Sequence, residues 1–294
     1  MPDARQLLAD NEVVLADGAM GTQLAARGLP AGEAPERWNL ERGDRVQAVA
    51  EAYAAAGARI VLTNTFGGSG PKLAKAGLGE AVADVNRRGA ELARAGAGDE
   101  VCVLASIGPT GELPAPLGTM SDQQMAAAFA EQVAAALAGG ADGVAVETMT
   151  DLTEATAAVR AARQAGAPFV VACLTYDKGP RGLATMMGVT PAQAAPALVE
   201  AGADAVGANC GMGIEVMAEV AAALAAATDA PLWCKPNAGA PQLVDGRTVY
   251  RQTPEQMAAG AAALIEAGCR VIGGCCGTTP EHIRVFAEVL AKAR

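Results

Sequence analysis

The sequence predicts a closed parallel barrel of the (βα)8 TIM type, one domain over residues 1–294. Three observations predict it. Eight short apolar or β-branched runs recur along the chain, alanine-rich stretches of helical character separate them, and polar residues and glycines collect where the runs end. Near-continuous apolar runs suit strands buried on both faces, and parallel neighbours need a crossover helix between them. Eight such units within 294 residues fit a closed barrel better than the alternative, an open doubly wound sheet.

The runs are, in order, Val13 to Asp17, Arg59 to Thr65, Val101 to Ile107, Gly143 to Glu147, Phe169 to Thr175, Ala205 to Cys210, Leu232 to Asn237 and Arg270 to Cys275. Helical composition fills the gaps, as in Gln123 to Ala138 and Pro191 to Ala201, and several gaps close on Ala-Gly-Ala or Ala-Gly-Cys, where glycine suits a helix C-cap. Barrel enzymes carry chemistry at the carboxyl ends of strands, so the residues to examine are those that end each run. They are Asp17-Gly18, Thr63-Asn64-Thr65, Gly108-Pro109-Thr110-Gly111, Glu147-Thr148, Asn209-Cys210, Lys235-Pro236-Asn237-Ala238-Gly239 and Cys275-Cys276. Gly18-Ala19-Met20-Gly21 is too short for a dinucleotide fingerprint, so a nicotinamide or flavin has no anchor.

Composition excludes several functions. A formal net charge of -10 without a basic block disfavours nucleic acid, whose phosphates need cationic donors. No apolar run is long enough to cross a bilayer, although mean hydropathy is +0.22, a value owed largely to alanine. Aromatics make up only 3% of the chain, leaving little from which to build stacking platforms or aromatic cages. Seven cysteines without framework spacing, and no signal-like segment before the first run, predict reduced thiols and a cytoplasmic location.

Three of those cysteines stand apart. Cys210 follows Asn209, and Cys275-Cys276 is bracketed by Gly273-Gly274 and Gly277, whereas Cys102, Cys173, Cys234 and Cys269 lie inside apolar runs and read as small buried hydrophobes. Zinc favours thiolates, and three protein ligands with one open position is its catalytic arrangement. The spacing is not that of a structural CxxC module, so a metal site and buried thiols both remain open on spacing alone. Barrel topology tips the balance: the sixth and eighth strands are next-nearest neighbours, close enough to share an ion.

Taken together, Asp17-Gly18-Ala19-Met20-Gly21-Thr22, Thr63-Asn64-Thr65-Phe66-Gly67, Gly108-Pro109-Thr110-Gly111, Glu147-Thr148, Asn209-Cys210, Pro236-Asn237-Ala238-Gly239 and Gly273-Gly274-Cys275-Cys276-Gly277-Thr278-Thr279-Pro280 resemble the homocysteine S-methyltransferase family over essentially the whole chain. Ile107 to Pro114 is most similar to the amino-terminal homocysteine module of cobalamin-dependent methionine synthase. The resemblance implies that Cys210, Cys275 and Cys276 hold Zn2+ and that the substrate sulfur enters its open position. It also implies that Asp17 and Gly18 meet the amino-acid end of homocysteine, that Glu147 receives its ammonium group, and that the side-chain oxygen of Asn237 fills the open metal position before substrate arrives. Asn64 and Thr65 are expected to line the pocket. Burial at a barrel mouth makes an unpaired carboxylate costly, which favours a cationic ligand beside Asp17 and Glu147. Lys178 and Lys235 lie near strand ends without an evident supporting acid, which argues against a Schiff-base aldolase, and His282 reads as a surface or packing residue.

The methyl donor is the open question. The chain has no Asp-x-His of the kind that holds cobalamin, and it stops soon after the eighth unit, so it resembles a detached homocysteine module whose methylcobalamin belongs to a separate corrinoid protein. The alternative donor is a small onium compound such as betaine or S-methylmethionine. Gly67 and Gly68 stand where the betaine enzyme carries an aromatic, although Trp38, Tyr176 and Trp233 are candidates to compensate. A zinc-bearing thiol or redox sensor without turnover is the alternative from outside enzymology.

Overall fold

A computed structural model of the chain describes residues 3–115, 117–180, 182–244 and 246–293. Eight parallel strands form one sheet: β1 Val14–Leu15, β2 Ile60–Leu62, β3 Cys102–Ile107, β4 Gly143–Met149, β5 Val170–Leu174, β6 Ala205–Cys210, β7 Leu232–Pro236 and β8 Cys269–Ile272. Neighbours follow chain order around the sheet. A bridge between Ala16 and Ile60, with Arg59 N–H donating to Leu15 O at 2.8 Å and Asp17 N–H to Ile60 O at 2.9 Å, joins β1 to β2 and closes the barrel.

A strand lies on each predicted run, the fourth extending past Glu147 to Met149 and the eighth beginning one residue early at Cys269, and both named helical segments are helices, Asp122–Ala138 and Pro191–Ala201. Ser121 and Thr190 cap them, each side chain accepting from the N3 backbone while the N3 glutamine reaches back. The eighth strand differs from its predicted bounds. It ends at Ile272, and Gly273-Gly274 follow it, still donating to Cys234 O and Asp17 O on the flanking strands, so the cysteine pair sits on the loop beyond it. Two antiparallel hairpins were not foreseen, Asp177–Gly179 with Gly182–Ala184 and Gln242–Val244 with Arg247–Val249, each inserted after a barrel strand.

Alternation along the strands sorts the core into two shells. Val14, Ile60, Leu104, Ala145, Phe169 and Trp233 belong to a cluster inside the barrel. Their strand neighbours, such as Leu15, Val61, Val103 and Val144, pack outward against the helices. Ala4 and Leu8 of the helix Ala4–Asp10 join the inner cluster and close the end opposite the strands' carboxyl ends. The same period carries Ser106, Glu147, Asn209 and Lys235 inward at the open end, each two residues beyond an inner position of its strand. The described helices include none long and apolar enough to cross a membrane.

Gly207 makes the β6–β7 contact possible, since a Cβ there would stand 1.8 Å from Trp233 O. Gly207→Ala is expected to destabilise the protein by about 3 kcal/mol or more, the upper range for overpacking, because the obstacle is backbone. Thermal unfolding of the variant checks this, with an unchanged midpoint as the contrary result.

Candidate active site

A cavity of about 580 Å³ opens at the carboxyl ends of the strands, with Cys210, Cys275 and Cys276 in its wall. The three sulfur atoms all lie within 4.8 Å of one another. Two features of local folding bring them together. Cys210 ends β6 in the left-handed region, φ 67°, a conformation that strains a non-glycine residue and turns the chain out of the sheet. On the other side, Thr278 Oγ1 donates to Cys275 O at 2.7 Å and accepts from Ala19 N–H at 3.1 Å, tying the cysteine loop to the loop after β1. Gly18 allows that approach: a Cβ there would meet Thr278 Oγ1 at 2.6 Å and the Tyr53 hydroxyl at 2.7 Å.

The three thiols share their protons unequally. Hydrogen bonds from Cys275 and then Cys276 pull the Cys210 thiol down, and the same contact with Cys210 pushes Cys275 and Cys276 up. A cluster that favours one thiolate becomes a three-thiolate ligand set only when a cation balances it. Asn237 supplies an independent sign. Its Nδ2 donates to Gly211 O at 2.7 Å, while its buried Oδ1 has no hydrogen-bond partner among the described residues. An orphaned buried carbonyl oxygen costs about 1–3 kcal/mol, and a metal ion beside it would remove that cost. Three sulfurs and one neutral oxygen are a donor set that suits zinc, and the Asn237 side chain lies against Cys210.

The remaining predicted residues fall into two groups. Glu147 lines the cavity and accepts from Ser106 Oγ and, at 3.3 Å, from Asn209 Nδ2. Burial raises its pKa, and the nearby Lys235 charge only partly offsets this. Gly18 and Asn64 are also in the wall, but the Asn64 amide nitrogen is committed to Pro35 O at 2.7 Å and Asn39 Oδ1 at 2.8 Å. Thr65 is buried and donates to Ser106 O at 2.8 Å, and Thr63 stands in the wall in its place. Asp17 is buried behind the wall, where Oδ2 accepts from Leu62 N–H at 2.7 Å and Oδ1 from Lys235 Nζ at 2.5 Å.

That ion pair corrects two expectations. The cost of burying Asp17 is balanced from within the protein, so it calls for no ligand cation, and Lys235 does have an acid beside it. Burial alone would push the Lys235 pKa down, but Asp17 and Glu147 outweigh burial and leave it raised. An ammonium held in its protonated form is a poor nucleophile, which again disfavours a Schiff base. Lys178 pairs with Glu219 on the surface. His282 is a packing residue, with Nδ1 accepting from Thr279 N–H at 3.2 Å and Nε2 lying 3.1 Å from Gln252 O. Cys102, Cys173, Cys234 and Cys269 are buried in the two core shells, as small hydrophobes would be.

Sequence reasoning missed Ser106, Thr278 and the cavity's far wall. There Phe66 and Lys72 stand together, Lys72 Nζ 4.6 Å from the ring centroid, with Glu36 alongside accepting from Gly67 N–H at 2.6 Å. Phe66 is the aromatic side chain in the wall. Trp38, Tyr176 and Trp233 are buried elsewhere, and Arg45 already lies over Trp38, 5.2 Å from its ring centroid. The period-2 pattern pointed to Ser106, two residues beyond the inward-facing Leu104; nothing in the local sequence signals the Lys72–Phe66 pairing.

The homocysteine S-methyltransferase family model matches residues 14–290. The chain belongs to the homocysteine S-methyltransferase family. Methionine synthase from Mycobacterium leprae is 36% identical over 302 residues, covering 95% of this chain and 24% of that protein. Betaine–homocysteine S-methyltransferase 1 from Danio rerio is 30% identical over 306 residues, covering 96% of this chain and 74% of its own length. The chain thus spans about a quarter of the methionine synthases it matches, at 24% and 25% of their lengths. Among solved structures, the metallated form of the homocysteine methyltransferase MmuM from Escherichia coli superposes with a TM-score of 0.81 at 26% identity, covering 97% of this chain and 98% of that one. The family match and the likeness to MmuM agree with the eight-stranded TIM barrel.

Removal of one sulfur should cost more than removal of the oxygen. Cys210→Ala is expected to lower zinc affinity by more than about 100-fold, and Asn237→Ala by about 10-fold, set against the 10- to 100-fold typical of outer-shell partners. Competition against a chromophoric chelator reads both, and undiminished affinity in the Cys210 variant would remove that residue from the ligand set.

Proposed function

We propose that this chain methylates the sulfur of homocysteine to give methionine, with zinc held by Cys210, Cys275 and Cys276 and the methyl group brought by a methylcobalamin-carrying corrinoid protein. The observation that carries the acceptor half is one cavity that joins the three-cysteine cluster to the half-buried Glu147 carboxylate. Zinc bound there would supply the Lewis acidity that keeps a substrate thiol deprotonated near neutral pH, where a free thiol with pKa about 8.5 is mostly protonated.

The chain's own groups supply the rest. Glu147 takes the substrate ammonium, oriented by Ser106 and Asn209. Asn209 also fixes Thr148, accepting its N–H at 2.7 Å and donating to its Oγ1 at 2.7 Å, which holds that residue in a left-handed conformation, φ 59°. In the transfer, the thiolate electron pair would form the new carbon–sulfur bond, and the donor's leaving group would keep the electrons of the bond to methyl that breaks. The thiol proton leaves to solvent.

Two observations support a macromolecular donor over an onium compound. A small onium needs an aromatic face; Phe66 in the wall already carries the Lys72 ammonium, a like charge to the ligand, and Tyr250 is engaged with Cys276 beside the cysteine cluster. Gly67 and Gly68 leave no room for another ring, since a Cβ would stand 2.8 Å from Glu36 Oε1 or 2.1 Å from Asn86 Oδ1. Around the mouth, Leu113, Leu117, Met186, Met212 and Leu243 are exposed on loops that follow barrel strands, a rim suited to a protein partner. The likeness to the Danio rerio enzyme favours the second reading, the same acceptor with betaine as donor.

Methionine formation from homocysteine by the zinc-loaded protein, offered methylcobalamin, betaine and S-methylmethionine in parallel, is expected with methylcobalamin alone. Turnover with either onium compound overturns the donor assignment. No turnover with any donor, joined to reversible zinc loss on oxidation, overturns the enzyme in favour of a sensor. Glu147→Gln is expected to weaken homocysteine binding by about 10- to 100-fold, the worth of one charge-assisted hydrogen bond, with a smaller effect on kcat. Because the pKa of Glu147 is raised, wild-type affinity is full above that value and declines as pH falls through it. A calorimetric pH series checks the sign, and the variant should lack that decline.

A further inference from the structure

Lys235 is a charged residue of the cavity wall, on the strand beside Asn209, that the expected substrate contacts leave out. Its side chain is 3% exposed, as is that of Asp17, yet Lys235 lies in the cavity wall and Asp17 behind it. Its ammonium has three N–H donors, and the hydrogen bond described for it is the one to Asp17 Oδ1 at 2.5 Å. A buried ammonium at a cavity wall with donors to spare is a receptor for an anion, because each unmatched donor away from water carries a desolvation cost.

The position fits one end of an amino acid. Lys235 is in register with Asn209 on the neighbouring strand, and Asn209 Nδ2 reaches Glu147 Oε2 at 3.3 Å. Lys235 and Glu147 therefore flank the same asparagine with opposite charges. The Ala19 N–H, a backbone donor in the adjoining loop, is taken by Thr278 Oγ1 at 3.1 Å. Asp17, Glu147 and Lys235 sum to one negative charge, and a zwitterionic ligand keeps that sum while pairing both ends.

We propose that Lys235 binds the α-carboxylate of the substrate, so that the pole of the cavity near Asp17 recognises an anion, and that with Glu147 it selects α-amino-acid thiols over simple thiols and aminothiols. The inference rests on homocysteine as acceptor and names the determinant of its amino-acid end. Lys235 acts here by binding and takes no part in the bond-making step.

Calorimetric titration of the zinc-loaded protein with homocysteine and with its decarboxylated analogue, 3-aminopropane-1-thiol, tests this in the wild type and in two variants. Lys235→Met removes the ammonium but leaves Asp17 unpaired, which threatens folding; Asp17→Asn/Lys235→Met removes both charges, leaves the net charge of the site unchanged and strands no buried ion. In the wild type the analogue should bind about 10- to 100-fold more weakly than homocysteine, the range for one charge-assisted contact. In the double variant the preference should shrink to about threefold or less, through loss of homocysteine affinity with the analogue little changed. An unchanged preference in the double variant overturns the inference, leaving Lys235 as the partner of Asp17 alone. A wild-type protein that binds neither compound overturns the homocysteine reading itself, and a wild type that binds both equally overturns only the role of Lys235.

Discussion

The position of β7 between β6 and β8 is the constraint on which the site depends. Pro236, the last residue of β7, is where both cysteine strands are measured: Cys210 pairs opposite it across one edge, and Cys275 N–H donates to its carbonyl at 2.8 Å across the other. Proline cannot donate to a ladder, so a strand tolerates it only at an end or an edge. The pairing with β6 stops at that level, where left-handed Cys210 turns the chain, while on the other side the Cys275 N–H still bonds to β7. A shift of one residue in either register would send a sulfur to the opposite face. The cysteine cluster is thus held by backbone pairing.

The buried Asp17–Lys235 pair ties this region to the seam of the barrel. The contact of β1 with β2 is short, and Asp17 reinforces it by accepting from Leu62 N–H while it also binds Lys235 of β7. One carboxylate therefore links three strands across the barrel mouth. A buried ion pair is weak evidence of net stability, since desolvation offsets much of the attraction. It does fix where charge sits, and here it converts an acid that looks available in the sequence into one already used, with its lysine left facing the cavity.

What the sequence made legible follows from how local each signal is. Strand runs, helix caps and the three cysteines carry their signal in residue type and spacing, and the barrel rule that strand ends gather at one face was enough to join Cys210 to Cys275 and Cys276. Asn237, expected near the metal from resemblance, does present an unpartnered oxygen. Pairings between residues far apart in the chain were not legible. Asp17 meets Lys235 across 218 positions, and Thr278 meets Ala19 across 259, so the role of each depends on closure of the barrel. Thr63 and Thr65 illustrate the same limit at short range: adjacent to Asn64 on either side, they differ in access because one lies in the wall and the other is turned toward Ser106 O. The hairpins escaped because their turn residues sit among polar residues with no apolar alternation to announce a strand.

On the proposed reading, the two poles of the cavity set unequal demands on the reactants. The pole with Glu147 and Lys235 offers both charges of an amino acid, so the acceptor can be held and aligned by protein alone. The opposite pole offers a ring already matched to the Lys72 ammonium and a carboxylate, Glu36, already bonded to Gly67 N–H. Neither group is free to desolvate a positively charged methyl compound, and methyl transfer to a thiolate proceeds best when water is kept from the sulfur. A donor that brings its own apolar surface meets both needs, since it presents the methyl group in line and covers the mouth as it does so. The exposed leucines and methionines on the loops after the strands are placed where such a cover would rest. In this reading the committed Phe66 ring and the apolar rim are two sides of one design: the acceptor's site is built into the barrel, and the donor's site is completed by the molecule that carries the methyl group.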